Sequence, residues 1–437
     1  MPISIFAPAD QWPVIDGFDV AVIGAGPGGI GAAVAAARGG ARTLLIERSA
    51  TPGGMATNGN CPNIMGYGSG GRQIIGGIAD ELARRLDAAG HGRLKAGRHP
   101  DPDPIADRPL LSPVISTVHG IRLIANRMLA EAGVERLYFA SLVGAIREGG
   151  RVTAAAIDRL EGPALVKAKT FVDASGDAAL VWRAGGRVHE AEPDEAMTKT
   201  ILFDVGGAPD FEYDAARAAF MKAVEEKRVP VAIQTSFMSY GGRLPGEVAL
   251  NYTAVAGDAL SSEDMTRMDV ELREQVEEGV AWFRESVPAF ADCHHVRSAC
   301  TVGIRAGRSA VGRETITQSD IDDDAPVARP VAIGLRRYGD HGTKAFAAAW
   351  RKPVDGTRPI PFETLLSADF ENVVMAGRSI SCEQRMLTCV RYMAQCMATG
   401  QAAGTTAALS VAKGGALADV GYDAVRERLV EGGAIVE

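Results

Sequence analysis

DVAVIGAGPGGIGAAVAAARGGARTLLIE, residues Asp19 to Glu47, holds an apolar strand, a glycine turn, a helix of small residues and a second strand closing on an acid. Val20 to Ile23 is short and wholly apolar, as a parallel strand covered on both faces must be. Gly24 supplies the tight turn, Gly26 lets the backbone approach a pyrophosphate, and Gly29 lets the following helix pack closely on the sheet. The first N–H groups of that helix and its positive dipole end then face phosphate. Glu47 falls about twenty residues after the glycines, where a carboxylate accepts from ribose hydroxyls. Order and spacing together predict a dinucleotide site for a flavin or a nicotinamide.

Gly66, Gly68 and Gly71 also spell G-x-G-x-x-G, but Pro62 to Met65 before them is no buried strand and no strand-terminal acid follows. That stretch reads as a loop, which leaves one nucleotide fingerprint in the chain. With 437 residues, 46% of them hydrophobic and 23% charged, the chain is globular and long enough for more than one structural unit. A net charge of −8 gives no basic field for a phosphate backbone, so nucleic acid is not an expected partner. The longest uncharged stretch, Val20 to Ala37, is the nucleotide motif and lacks the basic flank of a signal peptide, so a soluble cytoplasmic protein without membrane partners is expected.

The six cysteines form no disulfide framework in a chain of this length. Were the segment holding Cys382, Cys389 and Cys396 one helix, the three would lie on one side, each about 10 Å from the next and too far to bridge. A buried small-residue stripe is the better reading. Cys293, His294 and His295 lack a further partner at ligand spacing, so no metal is expected.

Five prolines between Lys95 and Pro113 mark an exposed connection. Helical spacing follows from Ile115 to Ala132, then strands over Arg136 to Ala145, Arg151 to Asp158 and Leu165 to Val172, the last running into Asp173-Ala174-Ser175-Gly176-Asp177. Beyond about Met197 the character changes. Thr200 to Val205 and Glu247 to Tyr252 read as strands of a different sheet, with helices over Tyr213 to Lys227 and Ser262 to Ser286. Near Ile360 the first character returns: Glu371 to Gly377 reads as a buried strand ending in glycine, and an alanine-rich helix runs from Ala394 to Val411.

Further motifs lie in order along the chain: Gly53-Gly54-Met55-Ala56-Thr57, the Asp173 to Asp177 strand end, Gly303-Ile304-Arg305 with Val311-Gly312, Met375 to Ser381, and Met397 to Gly404. With the N-terminal fingerprint they resemble the FAD-dependent oxidoreductase family of the glutathione-reductase-like superfamily, distantly similar to fumarate reductase flavoproteins. The resemblance spans about residues 17 to 412 and implies an α/β fold: a Rossmann-like FAD-binding domain (GR2-type) with an inserted α+β substrate domain. It divides the chain into 1–196 and 363–437 for the FAD-binding part and 197–362 for the insertion. FAD is the implied cofactor. The family's contacts would fall on Gly24, Gly26, Gly28 and Gly29 at the pyrophosphate, Glu47 at the ribose with Arg48 flanking it, and Gly54, Met55, Ala56 and Thr57 along the diphosphate and ribityl chain. Val143 would meet the adenine through its backbone, Gly176, Asp177, Gly377 and Arg378 would touch the nucleotide and ribityl groups, and Arg391 to Met393 would open the last helix against the flavin pyrimidine. For the late glycines, tight packing alone is the other reading.

Flavin chemistry needs an oriented substrate and a group that handles the proton. His341, in Arg336-Arg337-Tyr338-Gly339-Asp340-His341, has the right chemistry, although a plain surface histidine reads the same, and Arg337 lies beside it. Arg305 and Arg308 fit an anion clamp or a structural ion pair. Arg391 and Tyr392 precede the helix that would face the ring, and Cys61 reads as a lining residue. The expected activity is hydride transfer between flavin N5 and a small polar metabolite, anionic ones included. A monooxygenase or halogenase, and an electron-transfer subunit of a complex, are the alternatives. The small-molecule substrate and the electron donor or acceptor are unnamed, and a homo-oligomer is left open.

Overall fold

The computed structural model describes residues 8–69, 72–93, 115–191, 197–229, 246–323, 326–336 and 356–437. Strand β1 (Val14–Ile23) runs through the glycine turn into helix α1 (Pro27–Arg38), and β2 (Thr43–Ile46) returns parallel to β1. β1 begins earlier than its apolar run because a register shift between Ile15 and Phe18, at Gly17, lets Val14 and Ile15 extend the pairing. Helices α2 (Gly77–Ala88) and α3 (Val118–Glu131) precede β3 (Glu135–Leu137), which adds parallel to β2.

An antiparallel meander follows: β4 (Ser141–Glu148), β5 (Arg151–Arg159) and β6 (Gly162–Asp173). The single strand expected over Arg136 to Ala145 is therefore two. Phe139, at φ +56°, makes the corner, and the N–H groups of Phe139 and Ala140 donate to the carbonyls of Ser49 and Glu47. β6 joins the two sheet parts. One edge lies parallel to β1; on the other, Gly162–Val166 pairs with β5, and Phe171–Asp173 pairs parallel with the returning strand Val373–Met375.

The second sheet holds β7 (Phe203–Gly206) between β8 (Val248–Leu250) and β9 (His294–Ser298), all antiparallel, with helices α4 (Tyr213–Glu225) and α5 (Ser262–Ser286) completing the unit. α5 has the bounds that its amphipathic pattern predicts, and the Ser261 hydroxyl accepts from the Asp264 N–H as its N-cap. Phe203, Phe220, Tyr252, Trp282, Phe283 and Phe290 form the aromatic centre, with Tyr252 and Trp282 stacked at 6.4 Å. This core draws on Ile201 to Val302, whereas side chains from Ala306 to Phe362 pack into the first core. The segment 197–362 thus contributes to both.

The sheet strand Val373–Met375, β10, leads to helix α6 (Met393–Val411), and α7 (Tyr422–Glu431) follows. α6 lies on α1 at backbone contact distance: an alanine methyl at Gly400 would fall 2.1 Å from the Gly28 carbonyl oxygen, and one at Gly404 2.0 Å from that of Ala32. Cys382 lies outside any helix, Cys389 is in a short helix and Cys396 in α6, so the three do not share one helix, but all are buried. No helix among the described residues is long and apolar enough to cross a membrane.

Candidate functional site

The glycine turn closes against three neighbouring segments. Gly24 has φ +96°, its N–H donates to the Ile46 carbonyl at 2.8 Å, and a methyl there would lie 2.6 Å from the Ala174 oxygen. Glu47, only 7% exposed, braces the turn: one oxygen accepts the Ala25 N–H at 2.7 Å, the other the Ser49 N–H and hydroxyl at 2.8 Å. A carboxylate has further lone pairs, so it can still accept from a ribose. Gly26 differs from its neighbours because a methyl there meets no protein atom within 4 Å, leaving an open approach beside the N-terminus of α1. At Gly29 the methyl would fall 1.8 Å from the Gly24 oxygen, and at Gly28 3.1 Å from the Gly377 nitrogen. Arg48 is exposed.

Gly53 donates to the Ala25 carbonyl at 2.7 Å, and a methyl at Gly54 would lie 3.0 Å from the Gly26 Cα. The turn Gly54–Ala56 therefore rests on the glycine loop, with Met55 half-buried and Ala56 and Thr57 buried. On the other side Asp173, fully buried, accepts from the N–H and hydroxyl of Ser175 and from the N–H groups of Leu180 and Val181. Burial pushes its carboxyl up, and these hydrogen bonds pull it back. Asp173 thus braces the turn on both sides of Gly176 and Asp177, and the Ser379 hydroxyl accepts the Gly176 N–H at 3.2 Å. The Arg378 guanidinium lies 3.2 Å from Asp177 and against Gly176, while Gly377 donates to the Thr399 hydroxyl at 3.1 Å. Gly54 on Gly26, Gly377 on Gly28 and Ala174 on Gly24 bring three segments distant in sequence together at the glycine turn before α1, with Gly176 two residues beyond Ala174. These backbones can hold a dinucleotide: open N–H groups, a helix dipole and a flanking acid.

Val143 is half-exposed at a bulge between β4 and β5, and its carbonyl accepts from Arg183 at 3.2 Å. Met393 opens α6, Tyr392 is its N-cap, and Arg391 lies over the Tyr392 ring at 5.2 Å. The Ala394 N–H donates to Met65 at 3.3 Å, so one first-turn donor of α6 has a partner within the protein. The stretch from Gly66, read as a loop, packs here as well: Gln395 donates to the Gly66 carbonyl at 2.8 Å. Cys396 lies 3.6 Å from where a Gly377 methyl would be, and burial pushes its thiol up to about 12. At mildly alkaline pH, iodoacetamide should therefore modify the exposed Cys300 and spare Cys382, Cys389 and Cys396 in the folded protein. Mass mapping that finds Cys396 labelled before denaturation would contradict this packing.

The second unit reaches the site through Cys300 to Gly307. Cys300 and Thr301 donate to the Asn58 carbonyl, and a methyl at Gly307 would lie 2.2 Å from the Asp177 carboxylate. Between them Arg305, half-buried, donates to the Thr198 carbonyl at 2.5 Å and to the Asn251 amide oxygen at 3.4 Å. Arg308, the other clamp reading, is a structural ion pair: it binds Glu190 at 2.6 Å and stacks on Trp182. Arg337 and His341 lie outside the described residues. Cys61 is half-buried, and its N–H donates to the Met55 carbonyl. No group of three metal-binding side chains comes together among the described residues.

Sequence reasoning missed Lys199, Asn60 and Asp204. Lys199 is 1% exposed, its ammonium donates to the Gly257 carbonyl at 2.5 Å, and burial lowers its pKa, Asp258 opposing and Arg305 adding to the effect. Asp204 sits between Phe203 and Val205 in a buried strand. A charge within an apolar strand was the available signal.

A parallel sheet in the order β3-β2-β1-β6-β10, entered through a glycine turn and flanked by an acid at the end of β2, is a Rossmann-like dinucleotide-binding fold, and its continuation beyond the fingerprint decides which kind. The chain belongs to the FAD-dependent oxidoreductase family, whose model matches residues 19–429, and FAD is its cofactor. Among solved structures it is similar to a geranylgeranyl bacteriochlorophyll reductase-like protein from Thermoplasma acidophilum, at 13% identity over 96% of this chain and 83% of that one, TM-score 0.49. A flavin-dependent brominase, Bmp2, matches at 15% identity over 95% and 83%, TM-score 0.47. The OxyS anhydrotetracycline hydroxylase from Streptomyces rimosus matches at 14% identity over 95% and 66%, TM-score 0.42.

Proposed function

We propose that this FAD-dependent oxidoreductase moves a hydride between flavin N5 and a small polar metabolite, anionic ones included, held where the two cores meet. Arg305 carries the reading. It is a half-buried guanidinium on the stretch that runs from the Asn58 contact to Asp177, where a carboxylate or polarised oxygen would meet a rigid donor fork.

The cofactor assignment rests on the converging backbones. Gly24, Gly26, Gly28 and Gly29 would take the pyrophosphate, Glu47 the ribose with Arg48 outside it, and Gly54 to Thr57 the diphosphate and ribityl chain. Val143 would lie beside the adenine, Gly176, Asp177, Gly377 and Arg378 beside the ribityl and phosphate groups, and Met393 at the pyrimidine. When bound, the flavin supplies the redox chemistry. The chain's own part is to orient the substrate with Arg305, to line the opening with Arg391 and Tyr392, and to handle the proton, for which His341, with Arg337 in the same stretch of sequence, is the choice that the sequence offers. In domain terms, 197–362 is the substrate part and its own core is the Ile201 to Val302 stretch.

Arg305→Ala should keep FAD and raise KM for an anionic substrate about 10- to 100-fold, since a hydrogen bond to a charged group contributes about 1.5–3 kcal/mol. The experiment is anaerobic mixing of the purified protein with hydroxy acids, amines, polyols and NAD(P)H while flavin absorbance is followed. Bleaching by one organic substrate supports the reading and names the class. Bleaching by NAD(P)H alone would move the assignment to a monooxygenase or halogenase.

A further inference from the structure

We infer that Asp204 is a positioning residue for the loop 53–60, acting across the two cores through Asn60; this rests on the reading of Gly54 to Thr57 as a cofactor segment. Along β7, Phe203 and Val205 turn into the second core with no exposure, so alternation turns Asp204 to the opposite face. That face is covered too, because Asp204 is 1% exposed. What meets it there is Asn60 of the first unit, 3% exposed, whose amide donates to the Asp204 carboxylate at 3.2 Å.

The second unit is built to hold that carboxylate. The β7–β9 register shifts between Asp204 and Val205, with Asp204 opposite Arg297 and Val205 opposite His295. Val296 is the extra residue, and such a bulge re-aims a side chain. Arg297 thereby comes within 3.3 Å of Asp204, and its far end binds both Glu247 oxygens at 2.8 Å. A buried carboxylate persists only with such partners. Asn60 answers with a backbone in the left-handed region, φ +50°, which asparagine tolerates better than most residues. The loop is then held at both ends: Gly53 donates to Ala25 of the glycine turn, and Asn58 accepts from Cys300 and Thr301 of the second unit. Met55, Ala56 and Thr57 lie between these anchors. Docking of the second unit and presentation of the loop to FAD are therefore linked.

The test is titration of apoprotein with FAD, read by quenching of flavin fluorescence, for wild type, N60A, D204L, D204N and the N60A/D204L double variant. N60A and D204L should each weaken FAD about ten-fold, as expected for one buried hydrogen bond to a charged group. The double variant should be no weaker than D204L, because the Asn60 contact is already gone there; D204L also removes the Arg297 pair, so only the coupling between the two positions reads the shared contact. D204N, which keeps an oxygen for Asn60, should lie nearer wild type. Additive effects, or single variants with unchanged affinity, would overturn the inference. Should D204L not fold, N60A decides alone: faster amide exchange over residues 53–60 in its FAD-bound form supports the contact, and unchanged exchange with unchanged affinity overturns it. A G26A protein that loses FAD while N60A binds normally would reject the positioning role and leave the cofactor reading intact.

Discussion

Gly26→Ala protein is expected to purify folded and colourless. The added methyl meets no protein atom within 4 Å, and the residue's φ of −67° and ψ of −179° suit any amino acid. Such a substitution changes stability by at most about 0.5–1 kcal/mol, in the stabilising direction if the chain entropy dominates. The same methyl occupies the open approach beside the start of α1, where phosphate oxygens would come closest to the backbone. Charge-assisted hydrogen bonds contribute about 1.5–3 kcal/mol each, so displacing the diphosphate from one or two of them should weaken FAD by roughly 100-fold or more. Thermal midpoints of the apoproteins and FAD titrations separate the two effects. A yellow G26A protein with ordinary affinity would remove Gly26 from the cofactor site.

Gly29→Ala is expected to do the opposite, and to damage the fold itself. Its methyl would fall 1.8 Å from the Gly24 carbonyl oxygen and 2.9 Å from the carbonyl carbon, both main-chain atoms that no rotamer change can move. Relief requires α1 to lift from the turn, and with it the α6 packing on its far side. Overpacking of a core usually costs about 1–3 kcal/mol, and a clash of backbone with backbone belongs at or beyond the upper end. Gly400→Ala and Gly404→Ala, at 2.1 and 2.0 Å from carbonyls of α1, should fall in the same class. Urea unfolding of the apoproteins reads this directly, and a G29A midpoint equal to wild type would refute the close packing. Three glycines of one fingerprint thus divide by role: Gly24 turns the chain, Gly26 leaves room, and Gly29 makes contact.

Within the fold, the most legible parts were those whose signal is local. The β1-α1-β2 run, α5 and α6 were readable because a regular residue pattern runs unbroken over many residues, while the Ser261 cap of α5 came only with the structure. The β3 and β4 pair was misread as one strand, since a single left-handed corner at Phe139 leaves no mark in an apolar pattern. Arg305 and Arg308 looked alike in sequence. Only their partners separate them, a carbonyl and an amide for the first and Glu190 with Trp182 for the second.

The sequence by itself determined the dinucleotide-binding class of fold and the place of the glycine turn, because these follow from residues close along the chain whose backbone demands are steric; FAD, and not a nicotinamide, was implied only by the resemblance of motifs spread along the whole chain. Tertiary structure alone decided which distant segments meet: Gly54 on Gly26, Gly377 on Gly28, Arg378 against Gly176 and Asp177, and Asn60 on Asp204. Such contacts depend on how sheets and helices pack, and nothing in the spacing of one segment records the position of another.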